Sequence, residues 1–252
     1  MKKKAKKIIY VIVVIVLILI VGFFLMLHSR QKKAQDEVLA ESKVSQASTN
    51  EIEWNGKKYT YNDQLINILF LGIDKAEDID SSYMPGDAGQ ADCIMLLSLN
   101  KETKEARILQ INRNTMTKVD VYSSDGESYG AIDAQLATQY AYCIGGSRSC
   151  WATEKTVKNL LYNLPINGYL ALSVDGIAEI NDAIGGVTVT MTDADAQIDS
   201  EFQSGQAICL KGEKAETYVR YRDTEQFDSN SDRMRRQVSY ITAMVRQMRS
   251  RG

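Results

Sequence analysis

The sequence predicts an α/β (α+β) layered domain, a central mixed sheet with helices packed on it, preceded by a single N-terminal transmembrane helix. Three observations point there. Short continuous apolar runs bounded by turn residues interleave with stretches whose apolar residues recur at helical spacing, the pattern of helices laid on a sheet. Ile8 to Leu27 is a run of twenty residues without a charge, the length one helix needs to cross a bilayer. The 252 residues suit one mid-sized domain with an appendage, and two prolines with 16 glycines exclude collagen-like and low-complexity classes.

Residues 1–7 form a basic tail with lysines at positions 2, 3, 4, 6 and 7. Lysines on that side of residues 8–27 place the tail in the cytoplasm and the body outside the cell membrane, a single-pass topology. A cleaved signal peptide has a shorter apolar centre and a small-residue cleavage site, whereas Met26-Leu27-His28-Ser29-Arg30 follows here. Residues 28–50 are polar and lack an apolar period, so they read as a stalk. Residues 51–66 are a lead-in: Ile52 to Tyr61 gives two alternating runs around Asn55-Gly56, a type I′ hairpin signal.

The domain proper spans residues 67–252. Ile68 to Asp74 is a buried-strand run ending on a carboxylate, Asp92 opens a second run from Cys93 to Leu99, and Asn100 to Lys104 turns into a third, Ala106 to Asn112. Lys118 to Tyr122 alternates. Helices are expected over Asp133 to about Ile144 and over Trp151 to Leu164, the latter with Val157, Leu160, Leu161 and Leu164 on one face. Gly168 to Val174 reads as a strand. Asp175 is placed to cap a helix that Gly185-Gly186 ends before a strand from Val187 to Thr192. A last helix starts near Ser231 with Met234, Val238, Ile241, Val245 and Met248 in one stripe.

Composition restricts the chemistry. The lone histidine, His28, lies at the edge of the apolar run, so the domain has no imidazole for a catalytic triad, a histidine-ligated zinc or a haem. The chain's net charge is −2, so beyond the five lysines of residues 1–7 the body is acidic, which argues against nucleic acid as a partner. Cys93, Cys143, Cys150 and Cys209 allow three pairings in an oxidising compartment. Cys143 with Cys150 is the most plausible, and buried free thiols are the alternative.

Two constellations remain. If the first three runs are sequential antiparallel neighbours, Asp74, Asp92 and Arg113 share one edge of the sheet. Two carboxylates at one point need a cation between them, and oxygen-only ligation suits Mg²⁺; capping of strand ends is the plainer alternative. Tyr218 to Arg222, if extended, puts Arg220 and Arg222 on one side, and Arg233, Arg236 and Gln237 share a helical face. Guanidiniums grip phosphate oxygens bidentately, although such charges taken alone usually form a solvated face. No Walker loop or Gly-x-Gly-x-x-Gly fingerprint occurs, and Ser98-Leu99-Asn100-Lys101 matches Ser-x-x-Lys by letter only.

The ordered segments Asn67 to Asp74, Ala91 to Ser98, Asn112 to Thr115, Gln139 to Tyr142, Val174 to Ile177 with Ala183 to Val187, Tyr218 to Arg222 and Arg233 to Gln237 resemble the LytR-CpsA-Psr family, also called cell envelope-related transcriptional attenuators. The resemblance covers about Asn67 to the C-terminus. It implies a membrane-anchored phosphotransferase that attaches a glycopolymer from a polyprenyl pyrophosphate carrier to peptidoglycan in cell wall biogenesis. By position, Asp74 and Asp92 would hold Mg²⁺ (or Mn²⁺), and Asp92 and Arg113 would act in catalysis. Arg113, Arg220, Arg222, Arg233, Arg236 and Gln237 would bind the pyrophosphate. The prenyl tail, as a membrane lipid, would lie in an apolar tunnel between sheet and helices.

The chain departs from the family pattern at Gln90 and Gln135, where basic residues are usual, and at Asn114 and Asn230, where acidic ones are. An amide can neither accept a proton nor hold a cation as a carboxylate does. A lipid-pyrophosphate-binding regulatory module without turnover, and a lipid pyrophosphatase, are therefore the alternative functions.

Overall fold

The computed structural model describes residues 51–75, 83–223, 225 and 229–251. The expected basic tail, transmembrane run and stalk lie outside the described residues, among which no helix is long and apolar enough to cross a membrane. The chain divides into two compact units, residues 1–60 and 61–252. In the first, β1 (Glu51–Trp54) and β2 (Lys57–Thr60) form an antiparallel hairpin. Its two turn residues, Asn55 (φ 53°) and Gly56 (φ 72°), are both left-handed, as a type I′ turn demands.

The second unit is built on a four-stranded mixed sheet in the order β5-β4-β3-β8. β3 (Leu65–Ile73) pairs antiparallel with β4 (Ala91–Asn100), and β4 pairs antiparallel with β5 (Ala106–Ile111). Asn100 makes the β4–β5 turn tight, its Oδ1 accepting from Glu102 N at 2.8 Å and Thr103 N at 3.0 Å. β8 (Gly168–Ser173) runs parallel to β3, so the chain must cross over between them. β3 begins at Leu65, which assigns Leu65 and Ile66 to the sheet rather than to the lead-in.

The crossover holds the first difference from expectation. Asp133 to Gln135 is strand, not helix: β6 (Met116–Tyr122) and β7 (Ser128–Gln135) form a separate hairpin, and only α1 (Thr138–Ala141) is helical. Cross-strand partners decide it, since Ile132 lies opposite the fully buried Val119 and Lys118 pairs with Asp133 at 2.8 Å. α2 (Gly146–Leu160) starts earlier than Trp151 and stops before Leu164, because Tyr162 and Asn163 take positive φ and cannot continue a helix.

Beyond β8, α3 (Val174–Ala183) is capped by Ser173, whose Oγ accepts from Gly176 N at 3.4 Å; Asp175 sits in the first turn instead. β9 (Val187–Thr190) pairs with β10 (Ala207–Leu210) apart from the central sheet. β9 stops short of Thr192, whose N–H turns to Asp195. The expected extended run at Tyr218 is the end of α4 (Glu213–Arg220). Ala215, Tyr218 and Val219 are buried at i, i+3 and i+4, a helical stripe that outweighs the local alternation of Tyr and Arg. The last helix, α5 (Ser229–Arg251), begins two residues before Ser231, and Met248 at its far end is exposed. None of the four cysteines is in a disulfide, so Cys143 and Cys150 are not joined.

Each face of the sheet has its own core. Leu69, Leu71, Ile73, Ile94, Leu96 and Ile111 pack with Tyr140, Cys150 and Val157 of α1 and α2. Cys93 and Met95 pack on the other face with Val187, Leu210, Tyr218, Tyr240 and Ile241, flanked by half-buried Phe70, Leu97 and Ile108. Each fully buried side chain of this size contributes about 1.5–3 kcal/mol of burial free energy. The opposition of α5 to the sheet through this second core brings Arg233 to the strand ends.

Candidate functional site

The register of the three antiparallel strands puts the end of β3, the start of β4 and the end of β5 together. Ile73 lies opposite Ala91, and Ile94 opposite Ile111, so Asp74, Asp92 and Arg113 emerge at one edge. Asp74 N donates to Gln90 O at 3.0 Å, and Gln90 N returns a bond to Asp74 Oδ1. Gly89 allows this approach: at φ +81° a Cβ there would meet Asp74 Oδ1 at 3.0 Å.

Asp92 is held from two sides. Arg113 Nη1 pairs with its Oδ1, and Arg233 Nη1, from α5, with its Oδ2 at 3.0 Å. Arg113 Nη2 donates to Gln90 Oε1 at 2.9 Å. Arg233 Nη2 donates to Asn230 Oδ1 at 2.8 Å, and Asn230 Nδ2 donates to Asn112 Oδ1 at 3.2 Å. Asn112 Oδ1 also accepts from Asn114 N at 2.9 Å and so fixes the turn that carries Arg113. Arg222, just past α4, donates from Nε to Ser229 Oγ at 3.1 Å.

Three guanidiniums crowd this corner. Burial lowers the pKa of Arg113, with Arg233 and Arg222 lowering it further while Asp74 opposes them. Burial likewise lowers that of Arg233, followed by Arg222, against Cys93 and Asp74. Arginine does not deprotonate in a protein, so the field stays positive and an anion would relieve it. The Nε–H groups of Arg113 and Arg233 are buried donors without a hydrogen-bond partner among the described residues. Each such orphan costs about 1–3 kcal/mol, which an incoming phosphate oxygen would recover.

Asp74, Asp92, Arg113, Arg222 and Arg233 are thus brought together, and three other sequence candidates are placed elsewhere. Arg220 is exposed and pairs with Glu216 on its own helix at 2.5 Å, a consequence of α4 being helical rather than extended. Arg236 is buried and donates from Nε to Tyr218 O at 2.8 Å and from Nη2 to Tyr221 O, so its guanidinium binds backbone. Gln237 bridges elements, accepting from Gln110 Nε2 at 2.9 Å and facing Val219 O at 3.4 Å. Sequence reasoning missed Asn112, Ser229 and Gln110 as supports. Only Ser229 carried a signal, a hydroxyl residue at the start of a helix.

The donor set also bears on a metal. Among the described residues no group of three or more His, Cys, Asp and Glu is assembled to cage an ion. Two carboxylates flanking the same arginines do fit Mg²⁺, which keeps several waters and takes one or two carboxylates together with substrate phosphates. Beside the charged corner, Cys93 and Met95 begin an apolar layer that continues to Phe70, Leu97 and Ile108. Burial pushes the Cys93 thiol up to about 12, against the pull of Arg233, so it stays neutral.

Residues 21–252 match the LytR_cpsA_psr family. The polyisoprenyl-teichoic acid–peptidoglycan teichoic acid transferase TagU of Halalkalibacterium halodurans is 30% identical over 183 residues, 72% of this chain and 52% of that protein. TagU of Enterococcus faecalis is 26% identical over 216 residues, 85% of this chain and 61% of that protein. The chain therefore spans about half the length of the curated relatives it matches. The solved structure of a LytR-CPS2A-psr family protein, YwtF (TagT), with bound octaprenyl pyrophosphate lipid, has the same fold: TM-score 0.54, 23% identity, 81% of this chain and 73% of that one covered.

Proposed function

Because the chain belongs to the LytR_cpsA_psr family, we propose that it is a phosphotransferase that moves a glycopolymer from a polyprenyl pyrophosphate carrier to peptidoglycan, Mg²⁺-dependent and anchored in the cell membrane by residues 8–27. The observation that carries this reading is the convergence of Asp74, Asp92 and three arginines at one sheet edge, with two buried Nε–H donors left over. The transferase activity of the TagU relatives and the lipid bound in TagT supply the substrate classes.

The chemistry follows from the charges. An acceptor hydroxyl oxygen bonds to the glycan-side phosphorus, the bond from that phosphorus to the bridging oxygen breaks, and polyprenyl phosphate leaves. Arg113, Arg222 and Arg233 bind the phosphate oxygens and neutralise the charge that builds as the bridge breaks. Binding makes Arg113 and Arg233 exchange Asp92 for phosphate, which frees Asp92 to take the hydroxyl proton. Mg²⁺, held by Asp74 and Asp92, would add charge neutralisation at the same oxygens. The apolar layer from Cys93 to Phe70, Leu97 and Ile108 receives the prenyl chain.

A second reading, a lipid-pyrophosphate-binding module without turnover, is favoured by Asn230 standing as an amide link between Asn112 and Arg233. One assay separates the possibilities. Full-length protein in nanodiscs, given labelled lipid-linked glycan and peptidoglycan, is expected to join label to peptidoglycan and form one polyprenyl phosphate per transfer. Phosphate release without acceptor identifies a pyrophosphatase. Lipid binding with neither product, restored to turnover by Asn114→Asp, identifies the binding module.

A further inference from the structure

We infer that Asp195 and Arg236 are positioning residues that hold Arg222 at the anion site, an inference that rests on the pyrophosphate-binding reading above. Asp195 is fully buried in the short 3₁₀ turn Asp195–Gln197, on the chain that follows β9. A buried carboxylate is costly unless its oxygens are all engaged. Here Oδ2 accepts from Thr192 N at 2.9 Å and Thr192 Oγ1 at 2.8 Å, and Oδ1 accepts from Arg235 Nη2 at 2.7 Å. The Nη1 of Arg236 stands 4.0 Å from the same Oδ1.

Arg236 converts that anchor into a constraint on backbone. The last carbonyls of a helix have no intrahelical partner. Arg236 takes the Tyr218 carbonyl with Nε and the Tyr221 carbonyl with Nη2, and its guanidinium lies 5.7 Å from the Tyr221 ring centroid. Tyr221 leaves the helix in an extended conformation (φ −48°, ψ 135°), and its carbonyl belongs to the peptide that begins Arg222. Fixing that peptide fixes the direction in which Arg222 departs, toward Ser229 Oγ and the charge field of Arg113 and Arg233. The planar fork of a guanidinium can bridge two carbonyls while its third nitrogen faces a carboxylate; an ammonium cannot do so with the same geometry.

A role confined to stability would act on every ligand contact alike, whereas a positioning role acts through Arg222. A double-mutant cycle on the full-length protein, read as inorganic pyrophosphate affinity by calorimetry at fixed low salt, distinguishes them. Asp195→Asn is expected to weaken binding about tenfold in the wild-type background and less than twofold when Arg222→Gln is already present. Arg236→Lys, which keeps a charge beside Asp195, is expected to show the same coupling and serves if Asp195→Asn does not fold. An undiminished loss in the Arg222→Gln background, or no loss in the wild type, overturns the inference. If the wild-type protein binds no pyrophosphate at all, the anion-site reading fails first and this inference falls with it.

Discussion

Arg233 Nη1 donates to Asp92 Oδ2 at 3.0 Å across 141 positions of sequence. This bond ties the last helix to the strand edge and at the same time occupies the carboxylate with the guanidinium that the proposed substrate needs. In the proposed mechanism, Asp92 thereby stands in for the phosphate when none is bound.

Removing Arg233 tests both halves of that arrangement. Arg233→Ala should lower unfolding free energy by about 1–3 kcal/mol, since Asp92 keeps Arg113 but loses its second partner. Pyrophosphate binding should fall with it. Arg233→Lys should recover the stability more than the binding, because a point charge does not reproduce the two-nitrogen grip. Denaturant titration and calorimetry check the two effects separately.

Asp92→Asn should have opposite effects on binding and turnover. With the carboxylate gone, Arg113 and Arg233 are released, so pyrophosphate should bind more tightly in the presence of EDTA. Transfer should be lost. Weaker metal-free binding by the variant would contradict the exchange of Asp92 for phosphate. Asp74→Asn, whose carboxylate bonds Gln90 N rather than a guanidinium, should strengthen metal-free binding less.

Gly72 lies on β3 one residue before the strand's end, where a Cβ would come within 2.9 Å of Cys93 Cβ. Gly72→Ala should therefore destabilise the domain by about 1–3 kcal/mol. Thermal unfolding measures this, and a melting temperature at or above that of the wild type would show that the two strands have room to part.

Asp195 gives a pH signature. Burial raises its carboxyl, but bonds from Arg235 and Thr192 outweigh that and hold it below the usual value of 3.8. A carboxylate depressed in the folded state contributes stability that is fully present above its unfolded pKa and is lost as pH falls through the folded one. The stability gap between wild type and Asp195→Asn should therefore be constant from pH 7 to about 5 and close below about pH 4. Unfolding titrations across that range would show a gap independent of pH if the carboxylate carried no such role.

Much of this was readable in the sequence. The apolar runs dictated β3, β4 and β5, and their antiparallel order alone was enough to bring Asp74, Asp92 and Arg113 to one edge. The parts that were not legible depend on tertiary partners. Asp133 to Gln135 looks helical in isolation and becomes strand because Lys118 and Val119 lie across from it. Tyr218 to Arg222 alternates like a strand, yet the stripe Ala215, Tyr218 and Val219 needs a core to face. Arg233 and Arg236 have the same residue type on one helical face; only the neighbouring elements send one to Asp92 and the other to the carbonyls of α4.

The most direct test is a structure of the protein bound to a prenyl pyrophosphate. The account predicts phosphate oxygens within hydrogen-bond distance of the Nε–H groups of Arg113 and Arg233, with Asp92 released from at least one of them and the prenyl chain along Phe70, Leu97 and Ile108. A pyrophosphate bound elsewhere while both Asp92 ion pairs remain intact would contradict it.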